Sequence, residues 1–139
     1  MKKLFTLLLL IIPVFVMAQE NLLGKSKAEV QDHFKKAGIP LYSSDVNGDN
    51  IANQYKTDNS PDVTCFFDKT NICKKVMDVE AFSSFAKFKS NFDRNWVKAG
   101  DNVWTNKAKT MKVRIVGVEA LNQLYVMYVG FGKDFGNSR

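Results

Sequence analysis

The chain has 139 residues, of which 45% are hydrophobic and 24% are charged, a balance typical of one globular domain. Its formal net charge is +6, but the 20 lysines and arginines form no run longer than two, whereas nucleic-acid binders cluster such residues. Length therefore argues against a second domain, and the scattered charge argues against a nucleic-acid partner.

The first 18 residues have the layout of a secretory signal peptide. Lys2 and Lys3 precede an apolar run of about 13 residues that ends at Val16, and Ala18 supplies the small residue before a cleavage site. The run is shorter than the roughly 20 residues that cross a bilayer, and no nearby cysteine offers a lipid attachment site. We predict cleavage after Ala18, no membrane span afterwards, and a soluble single domain over 19–139 in the periplasm or outside the cell.

The next element is a helix with clear signals at both ends. Ser26 and Glu29 have the spacing of a capping box, in which each side chain satisfies a backbone donor of the other residue. Gly38 is suited to the left-handed conformation that ends helices, and Ile39 can fold back on Phe34 in a Schellman motif. These signals predict a helix over 27–37.

The segment around this helix has the sequence GKSKAEVQDHFKKAGIP, residues 24–40. It resembles the helical start of small envelope domains of the beta-lactamase inhibitor protein type. The resemblance implies a helix followed by an antiparallel meander and a non-catalytic, protein-binding role. It carries over no binding residue, because the matched positions are structural.

The loop after this helix contains three oxygen-bearing side chains at alternate positions, Asp45, Asn47 and Asp49. A calcium loop that began at Asp45 would need glycine at its sixth position and glutamate at its twelfth. Here Gly48 comes fourth and Lys56 comes twelfth. Since Asn-Gly favours tight turns, the sequence predicts a turn at Asn47-Gly48 and no metal site.

A second helix is predicted from aromatic residues that recur at helical spacing. We expect it over 80–99, with its aromatic stripe facing the core; the alternative is a stripe that binds a membrane surface or a ligand. The stripe consists of Phe82, Phe85, Phe88, Phe92 and Trp96.

Elsewhere the apolar residues alternate with period two, which predicts strands. The fold is therefore expected to be α+β, with two helices packed on an antiparallel sheet in the order α-β-β-β-α-β-β-β. Lys-Ala-Gly at 36–38 and 98–100, and the similar segments 76–79 and 126–129, favour a duplicated unit. The predicted strands are Val63–Phe67, Ile72–Val79, Met111–Val118 and Gln123–Phe131, with weaker ones at Ile51–Lys56 and Asn102–Ala108.

Two cysteines, Cys65 and Cys73, flank a predicted turn at 68–71. Exported proteins meet an oxidising environment, in which such a pair is usually bridged. A three- or five-residue loop places the cysteines opposite each other; a four-residue loop pairs Cys65 with Lys74 and points the thiols to opposite faces. A disulfide is thus possible, and the sequence leaves the register open.

Catalytic signals are scarce. The single histidine, His33, lies beside Asp32 without a partner at metal-ligand spacing, and no Gly-rich phosphate loop precedes a helix. We predict no catalytic, metal or cofactor residues and no enzyme activity. The expected function is a binding or inhibitory module that presents its sheet or loops to a protein partner. The alternative is a carrier or enzyme with an apolar pocket between a curved sheet and its helices.

Overall fold

The computed structural model describes residues 20–58 and 62–130. The predicted signal peptide and Phe131, the last residue of the final predicted strand, lie outside these ranges. The helices are Lys27–Lys36 (α1) and Phe85–Asn95 (α2), with single 3-10 turns at Glu20–Leu22, Phe82–Ser84 and Glu119–Leu121. The strands are Leu41–Asn47 (β1), Asn50–Tyr55 (β2), Asp62–Phe67 (β3), Cys73–Ala81 (β4), Val97–Gly100 (β5), Val103–Thr105 (β6), Met111–Val118 (β7) and Gln123–Gly130 (β8).

All eight strands belong to one antiparallel sheet in the order β1-β2-β3-β4-β8-β7-β6-β5. The α+β class with an antiparallel sheet and two helices is confirmed. The predicted three strands per half are wrong, because each helix is followed by four. The strands that were missed are β1, which lies in the predicted loop, and β5, which lies in the predicted second helix.

The inner hairpins of the two halves, β3–β4 and β7–β8, pair in the same register. Cys65 opposes Val76 across β3 and β4, and Ile115 opposes Val126 across β7 and β8, so residue numbers differ by 50. The halves join where Met77 opposes Met127. An approximate two-fold rotation about this pair therefore relates β3–β4 to β7–β8. The outer strands depart from it by one residue, since Val63 opposes Tyr55 whereas Val113 opposes Trp104. The Lys-Ala-Gly match is wrong as a pair of helix ends, since 98–100 lie in β5.

Helix α1 has the predicted caps. Glu29 N–H donates to Ser26 Oγ at 3.2 Å, and Ser26 N–H donates to Glu29 Oε1 at 3.3 Å, which completes the capping box. At the other end Gly38 has φ +75°, and Ile39 N–H donates to the Phe34 carbonyl at 2.9 Å in the predicted Schellman arrangement.

Helix α2 is shorter than predicted at both ends. It begins at Phe85, after the 3-10 turn, and ends where Trp96 becomes extended at φ −123° and ψ 168°. Glycine at position 117 explains how the chain enters this helix: a Cβ there would lie 2.7 Å from the Phe82 ring and 3.2 Å from Phe85. Aromatic periodicity alone therefore overestimated the helix.

Both helices cover the same face of the sheet. The Phe34 ring stacks on Tyr55 with centroids 4.2 Å apart, and the Phe92 ring stacks on Trp104 at 5.5 Å. Strand register places Tyr55 and Trp104 on one face. The stripe on α2 therefore faces the core as predicted, although only Phe92 of its five rings is fully buried.

Candidate functional site

The face of the sheet opposite the helices is apolar at its centre. Val76 and Val126 are buried beneath the helix layer, so their neighbours Met77 and Met127 point to the other face, where neither described helix packs. We call this group the outer patch; its members are half-buried, apart from the exposed Val116. It consists of Phe66, Met77, Val79, Val116, Tyr125, Met127 and Val129.

The outer patch has a moderate area. Its seven residues lie on four adjacent strands, and each covers about 6.6 Å along its strand and about 4.8 Å across it, which gives roughly 220 Å² of sheet area. The largest apolar patch of a typical monomer measures about 300–600 Å² and is often functional, so the outer patch lies just below that range. The patch alone is smaller than the roughly 800 Å² that each partner contributes to a standard interface, so an interface here also includes its rim.

The rim of the outer patch is basic on one side. Lys75 and Lys112 oppose Val129 from its two neighbouring strands, and Arg114 opposes Met127. Lys75 Nζ also lies 4.7 Å from the centre of the Phe66 ring. These cations therefore place positive charge on the Val129 side of the apolar centre.

Asp62, an acidic residue beside the patch, already accepts hydrogen bonds from a neighbouring side chain. Asp62 opposes Val79, and its two carboxylate oxygens accept hydrogen bonds from Gln54 Nε2 at 2.8 and 2.9 Å. Its charge lies on the side of the patch away from Lys75 and Lys112. Three cations therefore lie toward one end of the patch and one carboxylate lies at the other end.

A separate groove of about 570 Å³ opens between the end of α1 and the sheet edge. It is mainly apolar, and Lys35 is the charged residue that lines it. Edge strand β1 next to the groove is exposed throughout, including its apolar residues Tyr42 and Val46. The other lining residues are Gln31, Gly38, Ile39, Pro40, Leu41 and Tyr55.

One ionisable side chain is buried under the helix layer. Asp78 in β4 is 2% exposed, and its Oδ1 has no hydrogen-bond partner among the described residues. Burial, followed by the nearby Glu80 and Asp62 carboxylates, raises the pKa of Asp78 to about 9. Asp78 is therefore a neutral acid at pH 7, and sequence alone gave no sign of its burial.

The cysteines lie in neither register considered above. Cys65 opposes Val76, and Cys73 opposes Phe67. The register shifts because Lys74 is an extra residue in β4, a β-bulge between Cys73 and Lys75. Both thiols are fully buried and free in the described part of the chain. The two side chains are nevertheless neighbours on one face of the β3–β4 pair, and hydrogen bonding to Cys73, with burial second, raises the pKa of Cys65.

Two other features singled out by the sequence are His33 and the turn at Asn47-Gly48. His33 is half-buried, its ring lies edge-on to Phe34 at 5.2 Å, and burial lowers its pKa. The predicted turn is confirmed, with Gly48 at φ +62° between β1 and β2. Residues 20–58 and 62–130 contain no group of three His, Cys, Asp or Glu side chains arranged to hold a metal.

The described helices are also too short or too polar to cross a bilayer. The chain matches no protein-family model, no curated protein and no solved structure. Its function therefore has to be inferred from its own surfaces. The sequence did contain one signal of the outer patch, the unbroken apolar run from Leu124 to Val129, which is typical of a strand that is apolar on both faces.

Proposed function

We propose that this protein is an exported, non-catalytic module that binds or inhibits a protein partner through its outer patch. One observation carries the proposal: an apolar surface spanning four strands lies on the face of the sheet that the described helices leave uncovered. Flexible methionine side chains beside Tyr125 and Phe66 are the residue types that protein interfaces favour.

The positive charge beside the patch indicates that the partner surface is acidic. Lys75, Lys112 and Arg114 require acidic groups on the opposing surface, around an apolar centre. The whole chain is basic as well, with a formal charge of +6 that falls to +4 without Lys2 and Lys3. An acidic partner is therefore attracted over long range as well as at contact.

Export remains a proposal that rests on the first 18 residues. Mass spectrometry of the protein released by the producing cells should give a chain that begins at Gln19. A full-length product extracted with the membrane would contradict it.

The matched registers of β3–β4 and β7–β8, and the repeated order of one helix and four strands, support the proposal that the chain is a duplicated unit. Duplication accounts for the outer patch, since the same apolar face occurs twice and meets at Met77 and Met127. The resemblance of residues 24–40 to domains of the beta-lactamase inhibitor protein type is compatible with a binding role.

The test uses immobilised mature protein and the exported proteins of its source. Met127→Glu places a charge in the outer patch; Ser90→Glu introduces the same side chain, with the same change in net charge, at an exposed position of α2 and is the matched control. We expect an acidic protein to be retained by wild type and the control, released by salt, and lost with Met127→Glu. Equal retention by all three would contradict the proposal, once circular dichroism shows that the variants are folded.

A second candidate function rests on the groove beside α1. Its apolar lining and Lys35 suit a small amphipathic anion, which would make the protein a carrier. Fatty-acid binding that Leu41→Asp removes and Met127→Glu leaves intact would favour this function over protein binding.

A further inference from the structure

The thiols of the two cysteines share one face of the β3–β4 pair. Cys73 opposes Phe67, and Cys65 lies two residues before Phe67 on the same strand, so the cysteines are diagonal neighbours. All three side chains are buried on the helix side of the sheet. The bulge at Lys74 preserves this arrangement, because it shifts the register without moving Cys73 to the opposite face.

The segment that precedes α1 holds Cys73 in place. The Cys73 N–H donates to the Lys25 carbonyl at 2.8 Å, and the Cys73 carbonyl accepts from the Gly24 N–H at 2.9 Å. Its thiol also donates weakly to the Lys75 carbonyl at 3.6 Å. Diagonal neighbours of an antiparallel pair lie roughly 7–8 Å apart, slightly more than the usual Cα–Cα range of about 4.4–6.8 Å for a disulfide, so a small backbone shift at the Lys74 bulge would allow the bond.

We propose that Cys65 and Cys73 form an intramolecular disulfide when the protein folds in an oxidising environment. A small disulfide such as oxidised glutathione is the oxidant. One cysteine thiolate attacks it, forms a mixed disulfide and releases the first thiol. The second cysteine thiolate then attacks the mixed disulfide, closes the Cys65–Cys73 bond and releases the second thiol, so two thiol protons leave with the two reduced molecules.

Burial determines when the bond forms. Both cysteines are 0% exposed in the folded protein, and a thiolate is the attacking species. The raised pKa of Cys65 keeps its thiol protonated in the native state. Oxidation therefore accompanies folding, when the β3–β4 hairpin is still accessible, and the finished bond is shielded from reductants.

The disulfide would cross-link only the first half of the sheet, through β3 and β4. In the β7–β8 hairpin the position equivalent to Cys65 is Ile115, which pairs with Val126 as Cys65 pairs with Val76 and is also buried. Cross-linking closes a short loop and reduces the entropy of the unfolded chain. The proposal is independent of any partner or ligand.

The experiment refolds the reduced mature protein from denaturant in a glutathione redox buffer, followed by alkylation of free thiols. Without the bond, trypsin releases Thr57–Lys69 and Thr70–Lys74 as separate peptides. We expect them to be joined, with an intact mass lower by two hydrogen atoms. The melting temperature should rise by about 5 °C or more relative to reduced protein, since loop closure stabilises the fold.

The Cys65→Ala/Cys73→Ala variant is the control, and reductant should leave its melting temperature unchanged. Refolded wild type that keeps two alkylated thiols, or carries only glutathione adducts, would overturn the proposal. So would a joined peptide with a lower melting temperature, because the native geometry would then not accommodate the bond.

Discussion

The two halves of the molecule share one backbone plan but place different side chains at equivalent positions. Tyr128 in β8 packs its ring against Phe92 at 6.1 Å, whereas Asp78, at the corresponding position of β4, is a buried acid with an unsatisfied oxygen among the described residues. Ile115 likewise corresponds to Cys65. At these two positions the second half therefore has apolar or aromatic side chains, Ile115 and Tyr128, whereas the first half has a thiol and a carboxyl group in its core.

The difference implies that stability is distributed unevenly. A buried unsatisfied polar group destabilises a fold by about 1–3 kcal/mol, whereas an aromatic pair adds about 0.5–1.5 kcal/mol beyond its buried area. We therefore expect the first half to open more readily. The following substitutions test this comparison, starting with the largest expected effect.

Replacing Phe92 with alanine should destabilise the protein most. Its ring is 3% exposed and contacts Trp96, Trp104 and Tyr128, so truncation removes apolar contacts and leaves a cavity. The expected loss is about 3–5 kcal/mol of unfolding free energy, measured by chemical denaturation. Phe88→Ala, which removes a half-buried ring from the same helix, should cost less. A loss below about 0.5 kcal/mol for Phe92→Ala would show that this ring is not part of the core.

Replacing Asp78 with asparagine should stabilise the protein at neutral pH. Its native pKa of about 9 exceeds the ordinary value near 4, so the native state binds more protons than the unfolded state between these limits. The stability of wild type is therefore expected to fall as pH rises through this window. Asparagine does not titrate, so its advantage over the wild type should grow by about 1.4 kcal/mol for each pH unit within this window.

Urea denaturation at several pH values between 5 and 9 measures this effect. Asp101→Asn, which changes an exposed acid between β5 and β6, is the matched control and should keep the wild-type pH dependence. A wild-type stability that rises with pH over this range would contradict the assigned protonation of Asp78.

The sequence predicted the first half's helix better than the second's for a local reason. The ends of α1 are determined by Ser26, Glu29 and Gly38, whose side chains or backbone conformations act within a few residues. The ends of α2 depend on tertiary contacts, namely Phe82 against Gly117 and the pairing of Val97 with Thr105. Periodicity cannot detect such contacts, so β5 was assigned to the helix.

Strand β1 and the arrangement of the cysteines were also missed, because both depend on contacts between residues that are distant in sequence. Strand β1 was missed because its residues are exposed and have no apolar alternation, and only pairing with β2 defines it. The position of Cys73 beside Cys65 on one face depends on a bulge at Lys74, which no residue type in the sequence indicates. By contrast, the turn at Gly48 and the left-handed Asn71 were predictable, because glycine and asparagine adopt positive φ angles locally.

The smallest expected effect on stability comes from replacing the serines that precede the two α-helices, Ser26 and Ser84. Ser26 is extended at φ −71° and ψ 158°, and its hydroxyl accepts from Glu29 N–H at 3.2 Å. Ser84 is already helical at φ −83° and ψ −2°, and its side chain makes no capping bond within the described residues. Ser26→Ala should therefore lower the unfolding free energy by about 1 kcal/mol. Ser84→Ala should change it by less than about 0.5 kcal/mol, as at ordinary surface sites. Parallel denaturation curves decide between them: equal losses would mean that the caps of the two halves do not differ, and that the 3-10 turn before α2 is itself stabilised by Ser84.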